Sequence, residues 1–266
     1  MKNNRYKILV LSDFKKPEST LLKSSVGLAK IIGGEINLFH VKKHTDIVKR
    51  DNQFSAMRSL NEEHNNTIKR IDNLVNKFSK AHNLKISGDY AFGNIKEEIK
   101  KQIKLYNPDI IVLGQRDAST FKLIGDSITR FVLKSFNGVI MITSNKNALE
   151  PDKKITLGVL NDSNKIFNTN FSKDLITHTT TPLKSFKIIN SHIEEENISS
   201  LIEEKVIEYK FEKNDNALTT LSSYLLKNNI NLLCVDRNKK QNKSTQNIPL
   251  NDVVNNINVS LLVSEA

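Results

Sequence analysis

Two stretches decide the fold, KILVLSDF at residues 7–14 and DIIVLG at residues 109–114. Each contains four consecutive apolar residues that stop at an acidic, polar or glycine position. Such a run is typical of a buried strand that ends in a turn. Amphipathic segments and further apolar runs alternate between and after the two stretches.

The first half of the chain follows this pattern throughout. We predict strands at residues 8–11, 35–41, 86–92, 109–113 and 139–143, and helices at 17–33, 50–82, 94–106 and 124–136. Continuous apolar strands separated by helices indicate a parallel sheet covered on both faces. The first half is therefore predicted to be a doubly wound, five-stranded α/β unit.

The pattern then restarts after a polar stretch at residues 144–154 that contains Pro151 and is predicted to be a linker. We predict strands at 155–160, 183–190, 206–211, 232–235 and 259–263, and helices at 214–228 and 252–257. The same order of elements in both halves indicates a tandem duplication, with domains at 1–146 and 147–266. The second copy is shorter, because only residues 193–205 stand where the first copy has its long polar helix.

Composition narrows the class of protein. The 266 residues are 38% hydrophobic and include a single cysteine, Cys234, which excludes an internal disulfide and a cysteine-cluster metal site. The apolar runs are too short to span a bilayer, and the first residues resemble no secretory leader. We expect a cytoplasmic protein that does not enter a membrane, with Cys234 buried in a strand.

The net charge of +11 lies in the first half, where 26 Lys and Arg face 15 Asp and Glu; the second half has 14 of each. Such asymmetry can mark a nucleic-acid-binding region. Here the lysines alternate with glutamates at helical spacing, and neither interleaved aromatics nor an arginine stripe accompanies them. Solvated helix faces explain the charge better than nucleic-acid binding does.

Motifs of the common enzyme classes do not occur. The sequence has no Walker-type phosphate loop, no G-x-G-x-x-G after a strand, no H-E-x-x-H and no G-x-S-x-G. None of the six histidines has a partner pattern, so we expect packed or solvated imidazoles rather than catalytic ones. The sequence supports no enzyme class and predicts no metal site.

One region indicates ligand binding. In doubly wound sheets, ligands bind beyond the carboxyl ends of the strands, where the strand order reverses. Residues 11–14, 39–41 and 113–117 all reach that edge, and a polar loop leads from the last of them to Gly125 at a helix start. Backbone N–H groups of such a loop can bind a phosphate.

These stretches, in this order, resemble the universal stress protein family across residues 5–143: KILVLSDF its first strand, DIIVLG its fourth, and GDSITRFVLKSFNGVIMIT its last helix and strand. The resemblance implies the adenine nucleotide alpha hydrolase-like fold, with Asp13 and Val41 beside an adenosine and Gly114 and Gly125 at the ends of a phosphate loop. The implied nucleotide-binding residues are Asp13, Val41, Leu113, Gly114, Gly125 and Ser127.

The chain departs from the pattern G-x2-G-x9-G-[ST] of nucleotide-binding members. Asp117 replaces the second glycine, Gly125 follows Gly114 by 11 positions instead of 13, and Asp126 takes the hydroxyl position. Each carboxylate would repel a triphosphate by on the order of 1 kcal/mol, although a bound Mg²⁺ could reverse that sign. The second half has no glycine after its fourth strand, so it is predicted to be a packing partner without a ligand loop.

The interpretation is a tandem, universal-stress-like protein that acts as a non-enzymatic binding module in stress response or signalling, with an altered nucleotide site. An active member that binds ATP with Mg²⁺ and hydrolyses it slowly is the alternative, and a basic nucleic-acid-binding module is a further one. Partners are an unidentified protein or a small nucleotide. By resemblance, residues 139–143 and 259–263 should pair within the chain in pseudo-two-fold symmetry. The sequence is also compatible with a higher oligomer.

Overall fold

The computed structural model describes residues 5–14, 18–43, 53–115, 127–161, 170–189, 206–237 and 248–264. Within them the first half has β1 (Tyr6–Ser12), α1 (Glu18–Ile32), β2 (Gly34–Lys42), α2 (Gln53–His82), β3 (Ile86–Phe92), α3 (Ile95–Tyr106), β4 (Ile110–Gly114), α4 (Ser127–Ser135) and β5 (Val139–Thr143). The second half has β6 (Leu157–Leu160), α5 (Asn170–Thr177), β7 (Leu183–Ile189), β8 (Val206–Glu212), α6 (Ala217–Lys227), β9 (Leu232–Val235), α7 (Leu250–Asn256) and β10 (Ser260–Val263).

Local sequence sets the ends of helix α3, which later forms one wall of the site. The Asn94 side chain accepts a hydrogen bond from the Lys96 N–H at 3.1 Å, as an N-cap does. At the other end Asn107 adopts a left-handed conformation with φ of 48°, which stops the helix. Both ends are thus defined, and Ile99 is buried against the sheet.

All ten strands form one sheet in the order β3-β2-β1-β4-β5-β10-β9-β6-β7-β8. Neighbours are parallel within each half, and the two halves have the same order of strands. The order reverses at β1 and β4 in the first half, and at β6 and β9 in the second. The doubly wound α/β fold predicted for both copies is confirmed.

The two halves meet through their last strands. β5 and β10 are antiparallel neighbours, with Ile142 opposite Leu261 and Ile140 opposite Val263. The prediction that residues 139–143 and 259–263 pair within the chain is confirmed. This pairing relates the halves by an approximate two-fold axis through the centre of the sheet.

Helices cover both faces of the sheet. Ile8 and Val10 of β1 belong to the core shared with α1, α2 and α5, whereas Leu9 and Ile111 belong to the core shared with α3, α4, α6 and α7. The side chains alternate between faces as the strand pleat requires. Burial on both faces explains why the strand sequences are continuously apolar.

The connection at residues 144–154 has no helix or strand, as expected of a linker, but it is anchored to α1. Leu149 is buried, and its N–H donates to Ser24 Oγ at 3.0 Å. Gly27 makes this approach possible, because a Cβ there would lie only 2.8 Å from the Leu149 carbonyl oxygen. The stretch predicted to be a linker therefore also packs against the first half.

Other differences concern the second half and the ends of elements. No helix is predicted between residues 160 and 183, yet α5 lies there. Its eight residues include buried Phe171 and Leu175, too few apolar positions to show a period. Most other element ends move by one to three residues. The segment at 193–205 and residues 124–126, where α4 is predicted to begin, lie outside the described residues.

Candidate functional site

A cleft lies at the carboxyl ends of β1, β2 and β4, where the strand order of the first half reverses. It encloses about 930 Å³ of empty space, part of it open to solvent. Four of the predicted site residues line it together: Asp13, Val41, Leu113 and Gly114. Gly125 lies outside the described residues, as do Asp117 and Asp126, and Ser127 is described only as the first residue of α4.

One wall of the cleft is apolar. Phe39 and Val41 from β2 face Ile95 and Ile99 from α3, with Ile128 of α4 nearby. The sequence predicts only Val41 among these, since the helix residues are otherwise ordinary core positions. An apolar slot beside polar groups is the usual form of a small-molecule site and suits a flat aromatic ring.

The opposite rim is polar and includes the backbone of Gly114. No described atom lies within 4 Å of a Cβ built on Gly114, and its φ is outside the left-handed region. Neither packing nor backbone strain in the described residues therefore requires glycine here. Gly114 leaves free space at the end of β4, where a larger residue would project towards the cleft.

The turn that carries Asp13 is braced by aromatic and cationic side chains. Phe14 has φ of 54°, which costs a non-glycine residue about 1 kcal/mol. Its carbonyl accepts a hydrogen bond from Arg70 Nη2 at 3.0 Å, and the same guanidinium lies 4.6 Å from the Phe14 ring centre. The ring also contacts His40 at 4.4 Å between centroids. These contacts fix the turn and hence the position of Asp13.

His40 has a structural part in this turn. It is 7% exposed, and its Nδ1 lies 2.8 Å from the Ser12 carbonyl oxygen. A carbonyl only accepts, so Nδ1 carries the hydrogen. Burial lowers the pKa of His40 below its usual 6.5; the Ser12 bond opposes that shift and the charge of Lys42 adds to it. The ring is therefore neutral at pH 7, as expected of a packed histidine.

A second compartment of about 900 Å³ adjoins the cleft beyond Asp13 and Val41. It lies between the end of β2 and helix α2 and is lined by charged side chains. Lys42 forms an ion pair with Glu63, and Arg70 stands beside them. Sequence spacing does not predict this compartment, because β2 and α2 are separated by residues 43–52.

The second half has a cleft of about 800 Å³ between the end of β7 and helices α6 and α7. Ile188 of β7, Leu218 of α6 and Asp252 of α7 line it. Helix α7 begins after Pro249 without a side-chain cap. Asp236 follows β9 at the position that corresponds to Gly114 in the first half. The predicted loss of a ligand loop concerns residues 238–247, which lie outside the described part of the chain.

Other site types are missing from the described residues. Among them, no group of three or more His, Cys, Asp or Glu side chains could hold a metal ion. None of their helices is long and apolar enough to cross a membrane. Cys234 is buried in β9, and burial raises the pKa of its thiol to about 12, as expected for a core residue.

The chain is similar to known proteins in sequence and in structure. The model of the universal stress protein family matches residues 5–143, over half of the chain. A universal stress protein from Archaeoglobus fulgidus DSM 4304 has a similar structure, with a TM-score of 0.71 and 15% identity over 98% of this chain and 96% of that chain. A functionally unknown protein from Pseudomonas aeruginosa PAO1 aligns with a TM-score of 0.59 and 12% identity, over 97% and 92% of the two chains. Such identities show the fold alone. No curated protein matches the sequence.

Proposed function

This chain belongs to the universal stress protein family, and from that premise we propose that it is a non-enzymatic binding protein of stress response or signalling. Its two domains are residues 1–146 and 147–266, and its compartment is the cytoplasm. The first domain binds an adenine nucleotide, and an unidentified protein partner receives the signal.

A single observation carries the ligand class. Four residues implied by the family resemblance, one directly after β1 and three at the ends of β2 and β4, line one cleft beside an apolar slot. The slot between Val41 and Ile95 suits a purine, and Asp13 at its edge can accept hydrogen bonds from an exocyclic amine or a ribose hydroxyl. The location agrees with the general rule for ligands of doubly wound sheets.

The nucleoside rather than the phosphates should dominate the affinity. The loop from Gly114 to Gly125 is two residues shorter than the family pattern, and Asp117 replaces its second glycine. A shorter loop presents fewer N–H groups, and a carboxylate there repels phosphate oxygens. We therefore expect AMP and ATP to bind with similar dissociation constants.

Among the described residues that line the cleft, Asp13 is the only one with an ionisable side chain. The nearby His40 is buried and lines the adjoining compartment instead of the cleft. A binding role fits this lining better than hydrolysis.

A second candidate is a functional Mg²⁺–ATP-binding member of the family that hydrolyses ATP slowly. No described atom lies within 4 Å of a Cβ built on Gly114, which favours this candidate, since backbone can approach a phosphate there without an intervening side chain. It predicts a strong preference for ATP over AMP that depends on Mg²⁺.

Calorimetric titration with adenosine, AMP, ATP and GTP, each with and without Mg²⁺, tests the proposal. We expect adenine ligands to bind, with AMP and ATP within tenfold of each other, and GTP to bind at least tenfold more weakly. ATP affinity 100-fold above that of AMP would favour the second candidate, and measurable ATP turnover would overturn the non-enzymatic role. No binding of any adenine ligand would refute the ligand class.

Gly114→Val provides the matching variant. The added side chain finds no described atom within 4 Å, so the midpoint of thermal unfolding should stay unchanged while nucleotide binding is lost. For the wild type, a ligand at 100 times its dissociation constant should stabilise the fold by about 2.7 kcal/mol.

A further inference from the structure

We propose that the second half of the chain positions the nucleotide cleft of the first half, with Ser260 and Arg237 as positioning residues that do not touch the ligand. The inference rests on the proposed nucleotide cleft and adds a coupling between that cleft and the pairing of the halves. It is carried by hydrogen bonds that cross the seam, defined here as the β5–β10 pair and the residues that flank it.

Two residues that line the cleft are bonded to the second half. Gln115 follows Gly114 directly, and its Nε2 donates to the Ile257 carbonyl oxygen at 2.6 Å. Ser144 follows β5; its Oγ donates to the Asn258 carbonyl oxygen at 2.9 Å. Part of the cleft floor is therefore held by the segment between α7 and β10.

Ser260 completes this contact from the buried end of β10. Its side chain is fully buried, and its Oγ accepts a hydrogen bond from the Ser144 N–H at 3.0 Å. The Gln115 N–H in turn donates to the Thr143 carbonyl oxygen at 2.8 Å. One continuous path thus leads from Ser260 through the end of β5 to the residue beside Gly114.

A reciprocal contact runs from the second half to α4. Arg237, which lies beyond β9, donates from Nη1 to the Phe136 carbonyl oxygen at 2.6 Å and from Nη2 to the Gly138 carbonyl oxygen at 2.9 Å. Its positive charge lies beyond the carboxyl end of α4, where the helix dipole favours a cation. The opposite end of the same helix begins at Ser127, on the cleft side, so Arg237 holds the helix that limits the cleft.

These contacts imply thermodynamic coupling. If the seam orders the cleft floor, nucleotide must in turn stabilise the seam, because linkage between two equilibria is reciprocal. The second half then has a function in ligand binding even if its own cleft remains empty.

Ser260→Ala tests the inference, and Thr179→Val is its matched control. Thr179 is buried in the second half away from the seam, and its hydroxyl donates to the Leu175 carbonyl oxygen at 2.8 Å. Both variants remove one buried, hydrogen-bonded hydroxyl. Hydrogen exchange without ligand and calorimetric titration with AMP are measured for both variants and the wild type.

We expect Ser260→Ala to weaken AMP binding about fivefold and to speed amide exchange at Gln115 and Ser144 in the ligand-free protein. Thr179→Val should leave both quantities at wild-type values even if it lowers the unfolding midpoint equally. Wild-type affinity and exchange in Ser260→Ala would overturn the coupling while leaving the proposed function intact. Absence of AMP binding to the wild type would instead refute the proposed function. In that case, amide exchange at Gln115 that is unchanged in Ser260→Ala would still contradict the ordering of the cleft by the seam.

Discussion

Gly27→Ala should destabilise this protein, although the same exchange in most helices is stabilising. Gly27 lies within α1, where alanine ordinarily gains about 1 kcal/mol in helix propensity over glycine. The new Cβ would lie 2.8 Å from the Leu149 carbonyl oxygen and 3.3 Å from its carbon, so backbone must move. The sign of the effect depends on what that movement costs.

The cost can be worked from the contacts of Leu149. Overpacking of this kind costs about 1–3 kcal/mol, and the hydrogen bond from the Leu149 N–H to Ser24 contributes about 1 kcal/mol. Partial exposure of the Leu149 side chain, now 1% exposed, adds to both. After subtraction of the propensity gain, the net loss is about 1–3 kcal/mol, or a midpoint lower by about 2–4 °C for each kcal/mol.

Urea unfolding followed by circular dichroism measures this difference. Asn73→Ala at an exposed position of α2 is the control, and it should gain about 0.5 kcal/mol from propensity alone. A Gly27→Ala protein more stable than the wild type would refute the close approach of the connection to α1. It would also refute the view that this connection is anchored to the first half.

Further outcomes follow from the turn around Asp13 and from the core. Burial holds the pKa of His40 below 6.5, so below that pH the unfolded chain takes up a proton that the folded chain does not. The contribution of His40 to stability should therefore be full above pH 6.5 and decline as the pH falls below it. The unfolding midpoint of His40→Asn should decline less than that of the wild type between pH 7.5 and 5.5. Arg70→Ala removes a hydrogen bond to the Phe14 carbonyl and a cation–π contact with the Phe14 ring, and it should weaken AMP binding about threefold. The loss of stability should be only about 1 kcal/mol, because the side chain is partly solvated. An AMP affinity equal to that of the wild type would show that this turn does not position the nucleotide. Cys234 should react with a thiol reagent only at the rate of global unfolding, since it is fully buried with a pKa raised to about 12, and fast labelling of the native protein would contradict that.

Much of the fold follows from the sequence because the strand sequences are continuously apolar. Ile8, Leu9 and Val10 of β1 are buried, as are the equivalent residues of β4 and β5, so hydrophobicity alone marks these strands. The pairing of β5 with β10 was predicted from the family resemblance. Helix α5 was not, because eight residues contain too few apolar positions to define a period.

The site is predicted in part for a similar reason. Residues at the ends of strands, such as Asp13 and Gly114, are placed by the topology once the strands are known. Arg70 and Phe14 are 56 positions apart in the sequence, and no local sequence pattern predicts their contact. The seam bonds of Gln115 and Arg237 end on backbone carbonyls, whose positions carry no residue-type signal. These contacts could be found only from the structure.

The central claim, that an adenine nucleotide binds in the cleft at the carboxyl ends of β1, β2 and β4, is tested most directly by ¹⁵N NMR titration with AMP. We predict that the largest saturable shifts occur at Asp13, Val41, Leu113 and Gly114, with a smaller response at Ser260 across the seam. Shifts confined to the second-half cleft around Leu218, or none at millimolar AMP, would contradict it.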